Sequence, residues 1–302
     1  MNGTPNFSRS RAVGGRAPGA LAMAVLAVAL SITPPPRAQA QDPAPGDERT
    51  VVPRDTAHRE RRQTLFTYRD ALLAGGFVGL TFAMFPLDER FARQIRQDST
   101  FNRLAQSGAV GFETIAAPGA YVIGGTLYLY GRLAKKPDVA DFGWHGTEAV
   151  ILANGVTGFL KGVLGRSRPF VSNATDPRDF RFGGGFSTSE RQSFPSGHTT
   201  TAFAAAAAVT SEIRRLRPKA LPYVATVMYG GATLVGLSRM YHDKHWASDV
   251  ALGAAIGTFS GLKVVRYSHA HPDNMIDRVV LRAMVMPDAR GGGYLGFTLP
   301  AP

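Results

Sequence analysis

Six apolar segments, spaced along residues 71–262, constrain this chain more than any other feature. They run approximately 71–87, 114–131, 147–160, 199–211, 221–237 and 250–262. Each is longer than an ordinary strand and is rich in Ala and Gly, with no alternation in period two, so each is expected to be a helix. Short polar connections, such as Arg214-Arg215-Leu216-Arg217-Pro218-Lys219, make consecutive helices antiparallel neighbours in a bundle. Gly253 and Gly257, four residues apart, let one helix backbone approach another. The fold class expected is all-α, a six-helix bundle, with a small C-terminal β-hairpin. Its first strand would lie in the Val- and Met-rich run 278–286, and its second in 294–299, after a turn-forming stretch.

The flanks divide the chain further. Residues 1–40 read as an export signal: Arg9, Arg11 and Arg16 precede an apolar stretch from Ala20 to Ile32, and Ala38-Gln39-Ala40 supplies a cleavage site. About thirteen apolar residues is short for an uncleaved membrane anchor. Residues 41–68 are rich in Pro and charge and read as a disordered linker. The helical domain then spans 69–267, and 268–302 forms the tail. With 302 residues and one series of core-like segments, one domain with appendages is expected.

A net charge of +12 is compatible with nucleic acid, an anionic membrane or a phosphorylated substrate. The basic residues form no stripe with interleaved aromatics, and no helix-turn-helix or zinc-finger pattern occurs, which argues against a nucleic-acid partner. The absence of cysteine removes disulfides, thiolate metal sites and a Cys nucleophile.

Three polar clusters fall at segment ends. The first is Lys161-Gly-Val-Leu-Gly-Arg-Ser-Arg168-Pro169. Lys161 and Arg168 lie two helical turns apart and are expected to face the same way before Pro169 stops the helix. Taken alone, such cations also complement a helix dipole. The second is Pro195-Ser196-Gly197-His198. Here the N–H groups of Ser196, Gly197 and His198 are expected to lie free at a helix start and attract an anion, unless Ser196 merely caps the helix. The third runs from Ser238 to Asp249. Arg239 offers a planar cation, His245 an imidazole, and Asp249 a carboxylate one helical turn away that could orient that imidazole. In an up-down bundle all three clusters meet on one face.

These residues resemble the type 2 phosphatidic acid phosphatase and vanadium haloperoxidase superfamily. Its pattern K-x6-R-P, P-S-G-H, S-R-x5-H-x3-D is met by Lys161, Arg168 and Pro169, by Pro195 to His198, and by Ser238, Arg239, His245 and Asp249. The resemblance covers residues 147–265. It implies that His245 attacks phosphorus to form a phosphohistidine while Asp249 orients it. It further implies that His198 protonates the leaving oxygen and then activates water, and that Lys161, Arg168, Ser196, Gly197 and Arg239 hold the phosphate oxygens. No metal or other cofactor is expected, and vanadate would enter only if the chain were a haloperoxidase. The substrate would be a lipid phosphate or, alternatively, a small phosphate ester handled by a soluble periplasmic enzyme; association with a membrane is expected. His242 and Asp243 read as rim residues and His145 as part of a helix start; Arg166 either supports the site from behind or stands outside it, since the pattern does not require it.

Topology carries a conflict. Basic residues number 18 on the non-catalytic side and 12 on the catalytic side, which places the catalytic face outside. A cleaved signal followed by six spans would place it inside. Both hold only if the bundle is exported whole or lies at the membrane surface; otherwise one segment does not span or residues 1–40 are not a signal. Phe170, Phe180, Phe182 and Phe186, between the first two clusters, either line an acyl-chain entrance or pack their own loop.

Overall fold

A computed structural model describes residues 66–97, 111, 113–272, 274–281, 283–287 and 293–297. The expected export signal and nearly all of the linker lie outside these residues. The elements are α1 (Tyr68–Met84), α2 (Asp88–Gln97), α3 (Ala120–Leu133), α4 (Pro137–Leu164), α5 (Gly197–Leu216), α6 (Leu221–Tyr241), α7 (Ala247–Ala270) and α8 (Met275–Leu281). A two-stranded antiparallel hairpin of β1 (Ala283–Pro287) and β2 (Gly293–Phe297) follows. The fold is all-α with this hairpin as an appendage. Each of the six apolar segments is represented by a helix, and α2 and α8 are additions.

Several boundaries differ from the sequence reading for identifiable reasons. The second segment becomes regular α-helix only at Ala120, because Ala117 is extended (φ −153°, ψ 116°) just before Pro118. The run 278–286 is not one strand: its first part completes α8, and β1 starts at Ala283. α4 extends ten residues upstream of its apolar segment, starting on Pro137, so His145 lies two turns inside it and is buried. Pro suits a first helical turn because its missing N–H would be unpaired there anyway.

The core is built from small side chains. α5 and α7 lie in backbone contact along Gly253, Gly257 and Gly261. A Cβ on these glycines would stand 2.6 Å from Ser196 O, 2.3 Å from Thr200 O and 2.6 Å from Ala204 O respectively. Facing them are fully buried alanines, including Ala204, Ala207 and Ala208, with Ala149 and Ala153 contributed by α4. The Gly253 contact also sets the start of α5 against the start of α7, which brings the second and third clusters together.

The outside of the bundle is apolar. Val78 and Phe82 of α1, Ile151 and Phe159 of α4, and Tyr223 and Val227 of α6 are each at least half exposed. Among the described residues, three helical stretches are long and apolar enough to cross a membrane: Tyr68–Ile95, Pro218–Tyr241 and Ala247–Ala270. The first two carry most of their apolar surface outward, whereas the third is largely enclosed by its neighbours. Apolar side chains spread around a helix bundle are the signature of a membrane-associated protein.

Candidate phosphate site

Lys161 sits in the last turn of α4, and the helix ends at Leu164 rather than at Pro169. Gly165 ends it in the left-handed conformation (φ 58°), and a Cβ there would stand 1.9 Å from Arg181 O. Only glycine fits both constraints. The expectation that Arg168 joins Lys161 by helical phase is therefore corrected: Arg168 leaves the helix on an extended segment. That segment is held by Ser167 N–H to Asp179 O (3.0 Å) and Arg168 N–H to Glu190 O (3.0 Å).

Ser196 is the N-cap of α5. Its side chain caps nothing and instead accepts from Thr199 Oγ1 at 2.8 Å. Its N–H is not free as expected, because it donates to Asp249 O at 3.0 Å. The first bond within α5 runs from Thr200 N–H to Ser196 O (2.9 Å), so Gly197 and His198 begin the helix ahead of it. A Cβ on Gly197 would lie 3.7 Å from Lys161 Cε, which puts the lysine stem against the helix start.

His245 precedes the N-cap of α7 and is 3% exposed. Its Nδ1 lies 2.7 Å from Ser193 O and 3.5 Å from Asp249 Oδ2. A carbonyl can only accept, so Nδ1 carries the hydrogen and Nε2 keeps the lone pair. The backbone of Ser193 thus makes the close contact, with Asp249 behind it; the sequence pattern offers no signal for a carbonyl. Asp249 is fully buried and accepts from Trp246 N–H at 2.8 Å, from Ser193 Oγ and from Arg166 Nη1 at 2.6 Å.

Arg166 is the residue the sequence reading undervalued. It is fully buried, and all five of its N–H groups are engaged. Nε and Nη2 donate to Pro177 O, Nη2 also to Asp88 Oδ2 (2.7 Å), and Nη1 to Ser248 Oγ (2.7 Å) and Asp249 Oδ1. Phe85, Phe180, Phe194 and Trp246 surround the guanidinium at 5.0–5.6 Å from their ring centres. Phe180 thus packs its loop down, whereas Phe182 and Phe186 stand exposed. Asp88, at the head of α2, also accepts from Ser248 N–H at 2.8 Å.

Glu113 was likewise missed. It pairs with Arg239 Nη1 at 2.6 Å, contacts His242 Nδ1 at 2.8 Å and accepts from Ser238 Oγ at 3.1 Å. His242 is therefore tied into the site's rim rather than merely near it. Among the described residues, the Nε groups of Arg168 and Arg239 are buried without a hydrogen-bond partner. Such donors are costly unless a ligand satisfies them.

Burial, with Lys161 and Arg168 nearby, pushes the His245 imidazole down to about 3. Burial together with Arg239, Lys161 and Arg168 lowers His198 to about 4. Lys161 itself falls to about 7, first through burial and then through Arg168 and Arg239. These influences reflect how near Lys161, Arg168 and Arg239 stand to one another and to the two imidazoles. Cations and imidazoles gathered at one end of an all-α bundle, backed by buried carboxylates, make this a candidate oxyanion site.

Residues 143–273 match the family model described as the PAP2 superfamily. Over 69 residues it is 42% identical to a lipid A 1-phosphatase of Porphyromonas gingivalis. The match covers 23% of this chain and 15% of that relative's length. Among solved structures, a transmembrane PAP2-type phosphatidylglycerolphosphate phosphatase of Bacillus subtilis is similar. It is 20% identical, with a TM-score of 0.46, over 67% of this chain and 97% of that one.

Proposed function

We propose that the chain is a phosphoric ester hydrolase that removes phosphate from a membrane lipid through a phosphohistidine on His245. The observation that carries the reading is the 2.7 Å contact of His245 Nδ1 with Ser193 O, which reserves Nε2 for attack. Nε2 adds to phosphorus as the bond to the leaving oxygen breaks, and His198 gives that oxygen its proton. His198 then takes a proton from water, whose oxygen displaces Nε2, and inorganic phosphate departs. Lys161, Arg168 and Arg239 stabilise the non-bridging oxygens in both steps, aided by Ser196 and the Gly197 N–H. Three cations already supply the charge that a metal would otherwise bring, so the chemistry is proposed to be metal-independent.

The low values for His245 and His198 reflect burial beside the cations. A nucleophile needs the neutral form, and His245 has it. A general acid needs its proton, so His198 acquires it when phosphate neutralises the surrounding cations. A lipid substrate is supported by the apolar outer surface and by a cleft of about 650 Å³ whose lining includes Leu237 and Met240 of α6 and Ala247 and Val250 of α7. These residues adjoin Arg239, His245 and Asp249 in sequence. The excess of basic residues on the opposite side supports a catalytic face outside the cytoplasm.

The test is a substrate panel with purified protein: phosphatidic acid, an isoprenyl diphosphate, a small aryl phosphate, and bromide with peroxide and vanadate. Phosphate release from the lipids, abolished by His245→Ala, is expected. Turnover confined to the aryl phosphate would favour the soluble acid phosphatase reading. Bromide oxidation without phosphate release would overturn the hydrolase reading.

A further inference from the structure

The other end of the bundle holds a second cluster, which the phosphatase chemistry does not use. His145 of α4, Glu212 of α5 and His269 of α7 meet there. Glu212 Oε1 lies 2.9 Å from His145 Nδ1 and 2.8 Å from His269 Nε2. One ligating atom from each of the three residues falls within 4.8 Å of the others. The rings stand edge to face, with centres 5.0 Å apart. His145 and Glu212 are 2% and 1% exposed, and the His269 side chain is 29% exposed, so the cluster is built into the core and reachable from one side.

A second observation points to a cation. His145 Nε2 is buried without a hydrogen-bond partner among the described residues, 3.6 Å from Asp277 Oδ2. Asp277 is itself oriented by Trp144 Nε1 (3.0 Å) and Asn274 Nδ2 (2.6 Å). An imidazole that binds metal through one nitrogen characteristically presents its other N–H to an oriented carboxylate, and the His145–Asp277 pair has that arrangement. Arg215 Nε, 3.3 Å from Glu212 Oε2, holds the second carboxylate oxygen and leaves Oε1 for the cation.

We propose that His145 Nδ1, His269 Nε2 and Glu212 Oε1 form a binding site for a first-row divalent cation, with Zn²⁺ the ion best suited to the donors. Two imidazoles and one carboxylate match zinc coordination with one position left open, whereas Ca²⁺ and Mg²⁺ favour oxygen donors. Donor atoms around tetrahedral zinc stand about 3.3 Å apart, so each histidine nitrogen must recede from Glu212 by about 0.5 Å while the three donors, now within 4.8 Å of one another, settle at that common spacing. The ion replaces the hydrogens that now bridge these atoms. It ties together the far ends of α4, α5 and α7, the three helices from which Lys161, His198 and Asp249 come. Sixteen residues of α4 separate His145 from Lys161, roughly 24 Å, so the ion takes no part in phosphate chemistry.

The experiment uses the full chain in detergent, stripped with a chelator that is then removed, and titrated with Zn²⁺. One zinc per chain after desalting is expected. At about a hundredfold excess over the dissociation constant, Tm should rise by roughly 5–10 °C. His269→Gln, at a partly exposed ring that tolerates replacement, should weaken binding at least ~tenfold and remove the Tm rise. Co²⁺ in place of Zn²⁺ should give visible absorption in the unaltered protein and not in the variant. Three results would each overturn the proposal: no stoichiometric zinc in the unaltered protein, equal binding by His269→Gln, or zinc lost on His198→Ala yet kept in His269→Gln. The first two would leave a purely hydrogen-bonded cluster, and the third would move the metal to the phosphate site.

Discussion

Replacing Arg166 with Lys isolates what its planar fork contributes. The charge is retained, but lysine offers three donors where the arginine uses five, so at least two contacts to Pro177, Asp88, Ser248 or Asp249 are lost. Hydrogen bonds to charged groups contribute about 1.5–3 kcal/mol each, and breaking a fully buried ion pair costs about 3–5 kcal/mol. These ranges describe overlapping effects and are not summed. Arg166→Lys should therefore lower stability by about 3–5 kcal/mol, roughly 10 °C in Tm for a domain of this size. Asp249 keeps its bonds to Trp246 N–H and Ser193 Oγ, so His245 is loosened rather than released. At a temperature where the variant is folded, kcat should fall by up to about 100-fold with little change in KM. Thermal unfolding in detergent and steady-state phosphate release measure the two effects. A variant with Tm within ~2 °C of the parent and unchanged kcat would refute the idea that Arg166 is the strut behind Asp249.

Oxyanion binding should take up protons and weaken as pH rises above about 7, where Lys161 loses its charge unless an anion is bound; phosphate and vanadate inhibition constants should climb by up to ~tenfold per pH unit there, and a flat profile to pH 9 would contradict this. Stability should fall as pH drops from about 6.5 towards 4, because the unfolded chain binds protons that the buried His245 and His198 refuse; denaturant midpoints across that range check the sign. Glu113→Gln, which removes the charged partner of Arg239 and His242, should lower kcat/KM by about tenfold or more in steady-state assays, with secondary structure by circular dichroism retained. Replacing exposed Phe182 and Phe186 together with Ser should weaken liposome binding while sparing aryl phosphate turnover, as a vesicle flotation assay would read.

The apolar segments announced the helices because their length and composition exclude strands, and Gly253 and Gly257 announced the contact between α5 and α7. Lys161, His198, Arg239, His245 and Asp249 were legible as candidates because each sits at a helix end within a spaced pattern. Arg168 was legible as a residue but not as a geometry, since the left-handed turn at Gly165 breaks the helical phase on which the reading relied. Asp88 was invisible because an acidic residue in a first helical turn normally needs no partner, and Glu113 because a lone acidic residue outside the spaced pattern carries no mark of its partner; their roles come from residues 78 and 126 positions away. The carbonyl of Ser193 could not have been found from side-chain patterns at all. The His145–Glu212–His269 cluster escaped for a related reason: its members lie on three helices, with no spacing that marks them as a set.

The central claim is that His245 Nε2 carries the phosphoryl group between the two steps. Rapid mixing with radiolabelled lipid phosphate, quenched in alkali to preserve an acid-labile phosphoramidate, followed by peptide mapping, tests it directly. The account predicts a burst of leaving group matched by label on the peptide bearing His245, absent in His245→Ala and accumulating when His198 is replaced. Label on the His198 peptide, or full turnover with no labelled protein at any time, would contradict it.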